Sequence, residues 1–399
     1  MQKAMLVVLA AWIGWLQAGM AQTPMAKEGN PVSAFETRLY GELARGDGNV
    51  FVSPASIQSA LAMTMAGARG ATAKEMGQVL GVADAAAAGA QYRLLAKQIS
   101  ALQSGGAVQL SIANSLWGQE GIEFGPAFLQ QLRQDYESDL LQADFRGAAE
   151  AARQKINKWV SDKTQQRITD LIASGAIRPD TQLVLVNAIY LKANWLEQFE
   201  PRMTRDGDFK ATGGKTVKAK MMGKVFSAAY AEDAGTQMIE LPYRGGSLSM
   251  FILLPRQQDG LKQLEESLPT TLASLKEKAT KRRVSLALPR FTLRYQADLV
   301  QPLTKMGMPS AFGTQADFTG MREEGALRIS NVVHQAFVEV DEQGTEAAGA
   351  TGVMMRPTAM RQQEEPVAFV ADHPFVFAII ERATGTVLFV GRLVDPSAK

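Results

Sequence analysis

Side chains that commonly perform catalysis or bind metals are scarce in this sequence. It contains two histidines, His334 and His373, and no cysteine. Patterns for a zinc-binding helix, a nucleophile elbow, a phosphate loop or a dinucleotide-binding turn are all absent from it. The sequence therefore predicts that the protein is not an enzyme and has no catalytic residue, metal or cofactor.

The strongest chemical signal is a strand near the C-terminus that continues into a loop of the same periodicity. Residues 329–341 are rich in apolar and β-branched side chains and predict a β-strand. In the following loop, alternate positions are small or apolar, without charge or proline: Thr345, Ala347, Gly349, Thr351, Val353 and Met355. Side chains of a strand alternate between its two faces, so this face could be buried within a sheet. A segment that suits both an exposed loop and a buried strand indicates a conformational switch.

The elements that must position this segment differ between the two halves of the chain. Helical patterns dominate the first half, whereas strand patterns dominate from Phe209 onwards. This order predicts an α+β fold. No repeat, long linker or low-complexity tract divides residues 22–399, which are therefore predicted to form a single domain.

The N-terminus has the pattern of a cleavable signal. Lys3 precedes a mostly apolar run over residues 4–16, and the small residue Ala21 follows. The run is shorter than the roughly 20 residues that a membrane-spanning helix needs. We therefore expect residues 1–21 to be a signal peptide and the mature protein to be secreted or periplasmic.

The overall charge gives little indication of a charged partner. The formal net charge is +2 for 399 residues. Nucleic-acid and membrane binding usually require a strongly basic face. We expect neither partner, and we expect a monomer.

The loop and several other stretches resemble the serpins, a family of serine protease inhibitors. The run over residues 342–350 resembles the serpin hinge, in particular Glu342, Gly344, Thr345, Glu346, Ala347, Ala348, Gly349 and Ala350. Further serpin-like stretches lie at residues 49–57, 187–195, 288–291, 316–321 and 372–375. Together they cover nearly the whole mature chain, and with the N-terminal pattern they indicate a bacterial, exported member.

The resemblance implies a fold and a mechanism. It implies one domain with three β-sheets, eight or nine helices and an exposed reactive-centre loop over about residues 342–366. Serpins are suicide substrates: a serine protease cleaves the loop, which inserts into the main sheet and traps the protease as an acyl-enzyme. The alternative for this chain is a non-inhibitory serpin-like binding protein or chaperone.

Two clusters are implied beside the hinge. The shutter cluster, behind the opening point of the main sheet, would consist of Ser53, Ser56, Asn187 and His334. The breach cluster, at the top of that sheet, would consist of Trp195, Arg290 and Glu342. His334 shares the alternating face of Val332 and Ala336, so we expect it to be buried and hydrogen-bonded. No function is assigned to His373.

The position of cleavage stays open between three bonds. The family's usual loop length, counted from Glu342, places the reactive bond at Thr358-Ala359, which suits elastase-like proteases. The segment after Ala359 is long, however, so cleavage after Met360 or Arg361 is the alternative. Met360 would favour elastase-like or chymotrypsin-like proteases and Arg361 trypsin-like ones, and cysteine proteases are a further target class.

Overall fold

Helices lie mainly in the first part of the chain. The computed structural model describes residues 34–324, 326–345 and 365–398. Within these ranges the α-helices are α1 (Ala34–Leu43), α2 (Pro54–Met65), α3 (Gly70–Leu80), α4 (Ala85–Ser104), α5 (Pro126–Tyr136), α6 (Ala149–Lys163), α7 (Leu261–Glu266), α8 (Leu268–Lys278) and α9 (Val300–Met306). Short 3₁₀ helices lie at Pro201–Met203, Thr212–Gly214 and Pro309–Phe312.

The start of α2 shows why the chain turns into a helix where it does. Ser53 has an extended backbone, and its Oγ accepts a hydrogen bond from the Ser56 backbone N–H. Pro54 follows in the first turn, where a missing N–H costs nothing. The helix is buried along almost its whole length. Its N-terminus is therefore fixed at one point against the sheets.

Strands make up most of the remaining chain. They are β1 (Val50–Val52), β2 (Val108–Gln119), β3 (Leu140–Ala143), β4 (Leu183–Asn194), β5 (Arg205–Lys210), β6 (Thr216–Glu232), β7 (Thr236–Pro242), β8 (Leu248–Pro255), β9 (Thr280–Pro289), β10 (Phe291–Asp298), β11 (Ile329–Val340), β12 (Gly344–Thr345), β13 (Val367–Val370), β14 (Phe375–Glu381) and β15 (Val387–Leu393).

The main sheet has six described strands in the order β10-β11-β12-β4-β2-β3. Over most of their length β11 and β4 pair directly and in parallel, from Ile329 opposite Leu183 to Phe337 opposite Tyr190. The two-residue strand β12 lies between them at one end. We call the line along which β4 and β11 meet the seam, and the end that carries β12 its top.

The other nine described strands form a second continuous sheet, β1-β15-β14-β8-β7-β6-β9-β13, with β5 paired to β6. The long strand β6 joins its two parts, because its first residues pair with β5 and its last residues with β7. Counted separately, these parts and the main sheet give the three predicted sheets. The α+β fold predicted from the sequence is confirmed.

The apolar core is divided by the main sheet. One cluster packs between α6 and one face of the sheet, which we call the front, and includes Val186, Tyr190 and Phe337. Two clusters occupy the back face, where Leu185 belongs to one and Leu191 to the other.

None of the helices in the described part of the chain combines the length and the apolar character that a membrane-spanning helix needs.

Candidate functional site

Three polar side chains form a row across the back of the main sheet. Asn114 of β2 lies opposite Asn187 of β4, and Asn187 lies opposite His334 of β11. Strict strand alternation places all three on one face. The row therefore crosses the seam, and the first turn of α2 lies against it.

Hydrogen bonds connect this row to α2. The His334 Nδ1–H donates to Asn187 Oδ1, and His334 Nε2 accepts from the Ser53 backbone N–H at 3.5 Å. Asn187 Nδ2 donates to Ser56 Oγ at 2.6 Å and also to Asn114 Oδ1. The Asn114 amide in turn donates to the Ser56 backbone oxygen at 3.3 Å. The four predicted shutter residues are thus brought together.

His334 is fully buried and has no ionised partner in this cluster. Its exposed fraction is 0%, and desolvation lowers its pKa from 6.5 to about 3. The imidazole is therefore neutral at physiological pH, with one nitrogen donating and the other accepting. A single neutral side chain bridges β11, β4 and α2.

Asn114 is a cluster member that the sequence reasoning missed. It lies in β2 on the face that also carries Val108, Leu110 and Leu116, all of which are buried. One polar residue in the middle of an apolar face of a predicted strand is the same signal that singled out His334. The same pattern in the sequence therefore indicates Asn114 as a buried polar residue.

At the top of the seam, the start of the hinge already lies inside the sheet. Gly344 pairs with Asn194 and Thr345 with Ala193 of β4, while Thr345 also pairs with Val340 of β11. The approach at Gly344 is too close for a side chain, since a Cβ there would lie 2.2 Å from the Ala193 backbone oxygen. Thr345 is fully buried, and its hydroxyl lies 2.7 Å from the Tyr243 hydroxyl.

Glu342 anchors the chain just before this strand. Its exposed fraction is 3%, whereas the Arg290 side chain is 44% exposed. Arg290 Nε donates to Glu342 Oε1 at 2.7 Å, and the Thr204 hydroxyl donates to the same oxygen. Burial raises the pKa of Glu342, but the hydrogen bonds from Arg290 and Thr204 outweigh it, so the pKa is lowered overall. The carboxylate is thus held in its charged form.

Trp195 holds the backbone of the same turn. Its Nε1–H donates to the Asp341 oxygen at 2.9 Å, and its backbone N–H donates to the Gln343 oxygen at 2.8 Å. The indole stacks on the Tyr243 ring with centroids 4.6 Å apart. Glu342, Arg290 and Trp195, the predicted breach cluster, therefore meet at the junction between β11 and β12. Tyr243 and Thr204 were not predicted.

The remaining predicted residues lie elsewhere. The hinge residues Glu346, Ala347, Ala348, Gly349 and Ala350 and the reactive-bond candidates Thr358, Ala359, Met360 and Arg361 lie outside the described residues. His373 is buried away from the row: its Nδ1 lies 2.8 Å from Asp372 Oδ1 and its Nε2 lies 2.7 Å from the Pro255 oxygen.

We predict that His334 makes the folded state less stable as the pH falls. Its pKa is near 6.5 when unfolded and about 3 when folded, so the unfolded chain takes up a proton that the folded chain does not. Below pH 6.5 this group shifts the folding equilibrium towards unfolding by up to about tenfold per pH unit. Unfolding midpoints measured from pH 7.5 to pH 4.5 should vary less in His334→Gln than in the wild type. An unchanged pH slope in that variant, with His373→Gln as the control, would contradict the prediction.

We also predict that Gly344→Ala displaces β12 from the sheet. Its added Cβ meets backbone atoms of Ala193 and Asn194, which cannot rotate away as a side chain could. Hydrogen exchange, followed by mass spectrometry, should become faster in the top of β4 and at the Trp195 amide. Gly246→Ala, where no atom lies within 4 Å of the new Cβ, is the control in a turn outside the hinge, although its positive φ adds some strain. Equal protection of β4 in wild type and Gly344→Ala would be the contrary result.

Known proteins resemble this chain over most of its length. The leukocyte elastase inhibitor of Sus scrofa is 39% identical over 92% of this chain and 99% of that protein. An uncharacterized serpin-like protein of Thermococcus kodakarensis is 38% identical over 92% of this chain and 85% of that protein. The solved structure of Arabidopsis serpin 1 in a native stressed conformation has a TM-score of 0.80 and 30% identity, covering 91% of this chain and 96% of that one.

These relatives correct the expected location. The secreted or periplasmic location is wrong, because the relatives include leukocyte elastase inhibitors from pig, cattle and human, which are intracellular proteins. The expectation rested on the composition of residues 1–21 alone, and a short apolar run after a lysine does not by itself identify a signal. Those residues lie outside the described part of the chain, so the boundary at Ala21 stays a prediction, as does a bacterial source.

The match to a family model decides the classification. The model of the family described as Serpin (serine protease inhibitor) matches residues 30–396. This range contains the main sheet, the polar row and the hinge. The chain therefore belongs to the serpin family.

Proposed function

We propose that the protein inhibits serine proteases as a suicide substrate, with elastase-like enzymes as the preferred targets. The observation that carries this proposal is β12: the hinge residues Gly344 and Thr345 are already paired between β4 and β11. An inhibitory hinge has to continue that strand after cleavage. The similarity to leukocyte elastase inhibitors supports the choice of target.

The existing register defines where each later hinge residue would go. Gly344 opposite Asn194 and Thr345 opposite Ala193 set an antiparallel frame on β4. Continued down the seam after cleavage, this frame would bring Ala347 opposite Leu191 and Gly349 opposite Ile189. These β4 residues are buried on the back face. Small side chains at these hinge positions would enter that face without burying a charge.

The same frame brings a hydroxyl to the polar row. Thr351 would lie opposite Asn187 of β4, and the Val340–Thr345 pair places it opposite His334 of β11. An inserted strand must separate His334 from Asn187 and break their hydrogen bond. The Thr351 hydroxyl can both donate and accept, so it can replace that contact for both partners. Val353 and Met355 would follow opposite Leu185 and Leu183, which are apolar and buried.

Insertion has to compete with hydrolysis. The protease serine attacks the carbonyl of the reactive residue, and the peptide bond breaks as the new N-terminus leaves, giving an ester between the protease and the loop. Water would hydrolyse this ester if the loop stayed outside the sheet. From Thr345 to Thr358 an extended strand reaches roughly 43 Å at about 3.3 Å per residue. Insertion over that length would carry the protease to the far end of the sheet before deacylation.

The choice of reactive bond remains part of the proposal. Thr358-Ala359 agrees with an elastase-like target, because a small residue suits a shallow specificity pocket. Cleavage after Met360 would favour elastase-like or chymotrypsin-like proteases, and cleavage after Arg361 would favour trypsin-like ones. A cysteine protease could be trapped through the corresponding thioester.

Incubation with elastase-like, chymotrypsin-like and trypsin-like proteases tests the proposal directly. A complex that survives denaturing electrophoresis is the expected result, and the mass of the released C-terminal peptide identifies the cleaved bond. Cleavage within the loop with no complex under any of these proteases would overturn the inhibitor proposal. It would favour the non-inhibitory binding protein or chaperone.

We predict that Thr345→Arg and Ala347→Arg convert the protein from inhibitor to substrate. Ala347→Arg would bury an unpaired charge on the back face as the strand inserts, which costs several kcal/mol and delays insertion. Thr345→Arg would place such a charge at a site that is already buried, so β12 could no longer start the inserted strand. The yield of trapped protease should fall while loop cleavage continues. Glu346→Arg is the matched control, because that position has the opposite parity and already carries a charge. Undiminished trapping by Ala347→Arg would count against strand insertion.

A further inference from the structure

The segment after α6 lies across the front of the main sheet. Residues 164–172, here called the strap, connect the end of α6 to a turn before β4. Ile168, Leu171 and Ile172 of the strap are buried in one apolar cluster with side chains from both sides of the seam. These partners are Val184, Val186, Ala188 and Tyr190 of β4 and Val333 and Phe337 of β11. The strap therefore covers the line along which a new strand would enter.

The two ends of the strap are held on opposite sides of the seam. On one side, α6 packs in the same cluster against Ala113 and Trp117 of β2. On the other side, two side chains of β10 bind strap carbonyls: Arg294 Nη1 donates to the Arg167 oxygen at 2.7 Å, and Gln296 Nε2 donates to the Leu171 oxygen at 2.7 Å. The strap thus bridges the part of the sheet before the seam and the part after it.

Arg294 also rests on the seam itself. Its guanidinium lies 4.7 Å from the centroid of the Phe337 ring, and that ring lies 6.0 Å from the Tyr190 ring. The strand register confirms the alignment, because Arg294 is opposite Phe337 and Phe337 is opposite Tyr190. This row lies directly below the paired end of β12. It contains the first direct pair between β4 and β11 that an advancing strand would have to separate.

The strap leaves α6 through an unfavourable backbone conformation. Gln165 and Gln166 have φ values of 52° and 62°, the left-handed region that non-glycine residues seldom occupy. Such residues persist where the surrounding contacts hold them in place. Here the Gln166 N–H donates to the Ser161 oxygen at 2.8 Å, and the β10 side chains hold the strap from the next residue onwards.

Strand insertion changes the distance that the strap spans. Neighbouring strands lie about 4.8 Å apart, so one added strand moves β10 and β11 away from β4 by about that much. Hydrogen bonds of 2.7 Å cannot stretch so far. Either the strap detaches from β10, or it detaches from the β4 side and breaks the apolar cluster.

We infer that Arg294 and Gln296 are positioning residues that hold the strap over the seam. By holding it there, they limit the rate at which a new strand can insert. This inference rests on the proposed function, since it concerns the insertion step. Arg294 does not touch the protease in this scheme. It acts through the strap and through Phe337.

The experiment uses a synthetic peptide with the sequence of residues 346–356, which begins where β12 ends, added to the intact protein. Uptake of the peptide into the sheet is followed by native electrophoresis and by the rise in unfolding temperature. Arg294→Ala should take up the peptide roughly tenfold faster, the size of effect expected for one lost charge-assisted hydrogen bond. Gln296→Ala should act in the same direction, and Arg294→Lys should fall between, because lysine keeps a cation and a donor. Arg282→Ala, an exposed arginine of β9, is the matched control.

The protease reaction supplies the second readout. Faster insertion should lower the number of inhibitor molecules consumed for each protease trapped by Arg294→Ala, which mere destabilisation would not do. If neither the wild type nor Arg294→Ala takes up the peptide or traps a protease, the proposed function and this inference are overturned together. Wild-type uptake with an equal or slower rate in Arg294→Ala would overturn the strap inference alone. A lower unfolding temperature in Arg294→Ala with unchanged uptake would likewise overturn only the strap inference.

Discussion

The direct pairing of β4 with β11 is the constraint on which the rest of the structure depends. These strands lie in the middle of the main sheet, yet at the top of the seam they are separated by the two residues of β12. Parallel pairing is slightly less stable per residue than antiparallel pairing. A strand that entered from the top would form antiparallel ladders on both sides. The sheet is therefore closed along most of the seam, and at its top it already has the first two residues of an additional strand between β4 and β11.

Several buried groups near the seam lack the partners that a relaxed sheet would give them. Among the described residues, the side-chain oxygens of Asn194, Gln335 and Gln343 are buried without a hydrogen-bond partner. Asn194 ends β4, Gln335 belongs to β11, and Gln343 lies in the turn before β12. An unsatisfied buried acceptor costs about 1–3 kcal/mol. All three therefore lie on or beside the two strands that border the seam.

The two faces of the seam are held by different physical interactions. On the back, a hydrogen-bonded row from Asn114 to His334 connects the strands to the N-terminus of α2. On the front, the strap and α6 cover the seam with apolar side chains. Hydrogen bonds are directional, so the row fixes the register of β2, β4 and β11. A hydroxyl in the matching position of an inserted strand could replace the bond between His334 and Asn187. Apolar contacts are less directional. The stability of the front cover therefore depends on the apolar area that it buries and on the side chains that hold the strap.

The sequence by itself determined the fold class and the family, and it predicted most of the residues that the structure brings together at the polar row and at the top of the seam. Alternation alone indicated that His334 is buried, because a strand face is a local property. The sequence misled on location, since composition near the N-terminus does not identify a signal. Only the tertiary structure showed that Asn114 completes the row, that Thr204 shares the Glu342 carboxylate, and that Arg294 binds the strap. These contacts join residues 73 to 138 positions apart. Such pairs depend on strand order and register, which no local pattern encodes.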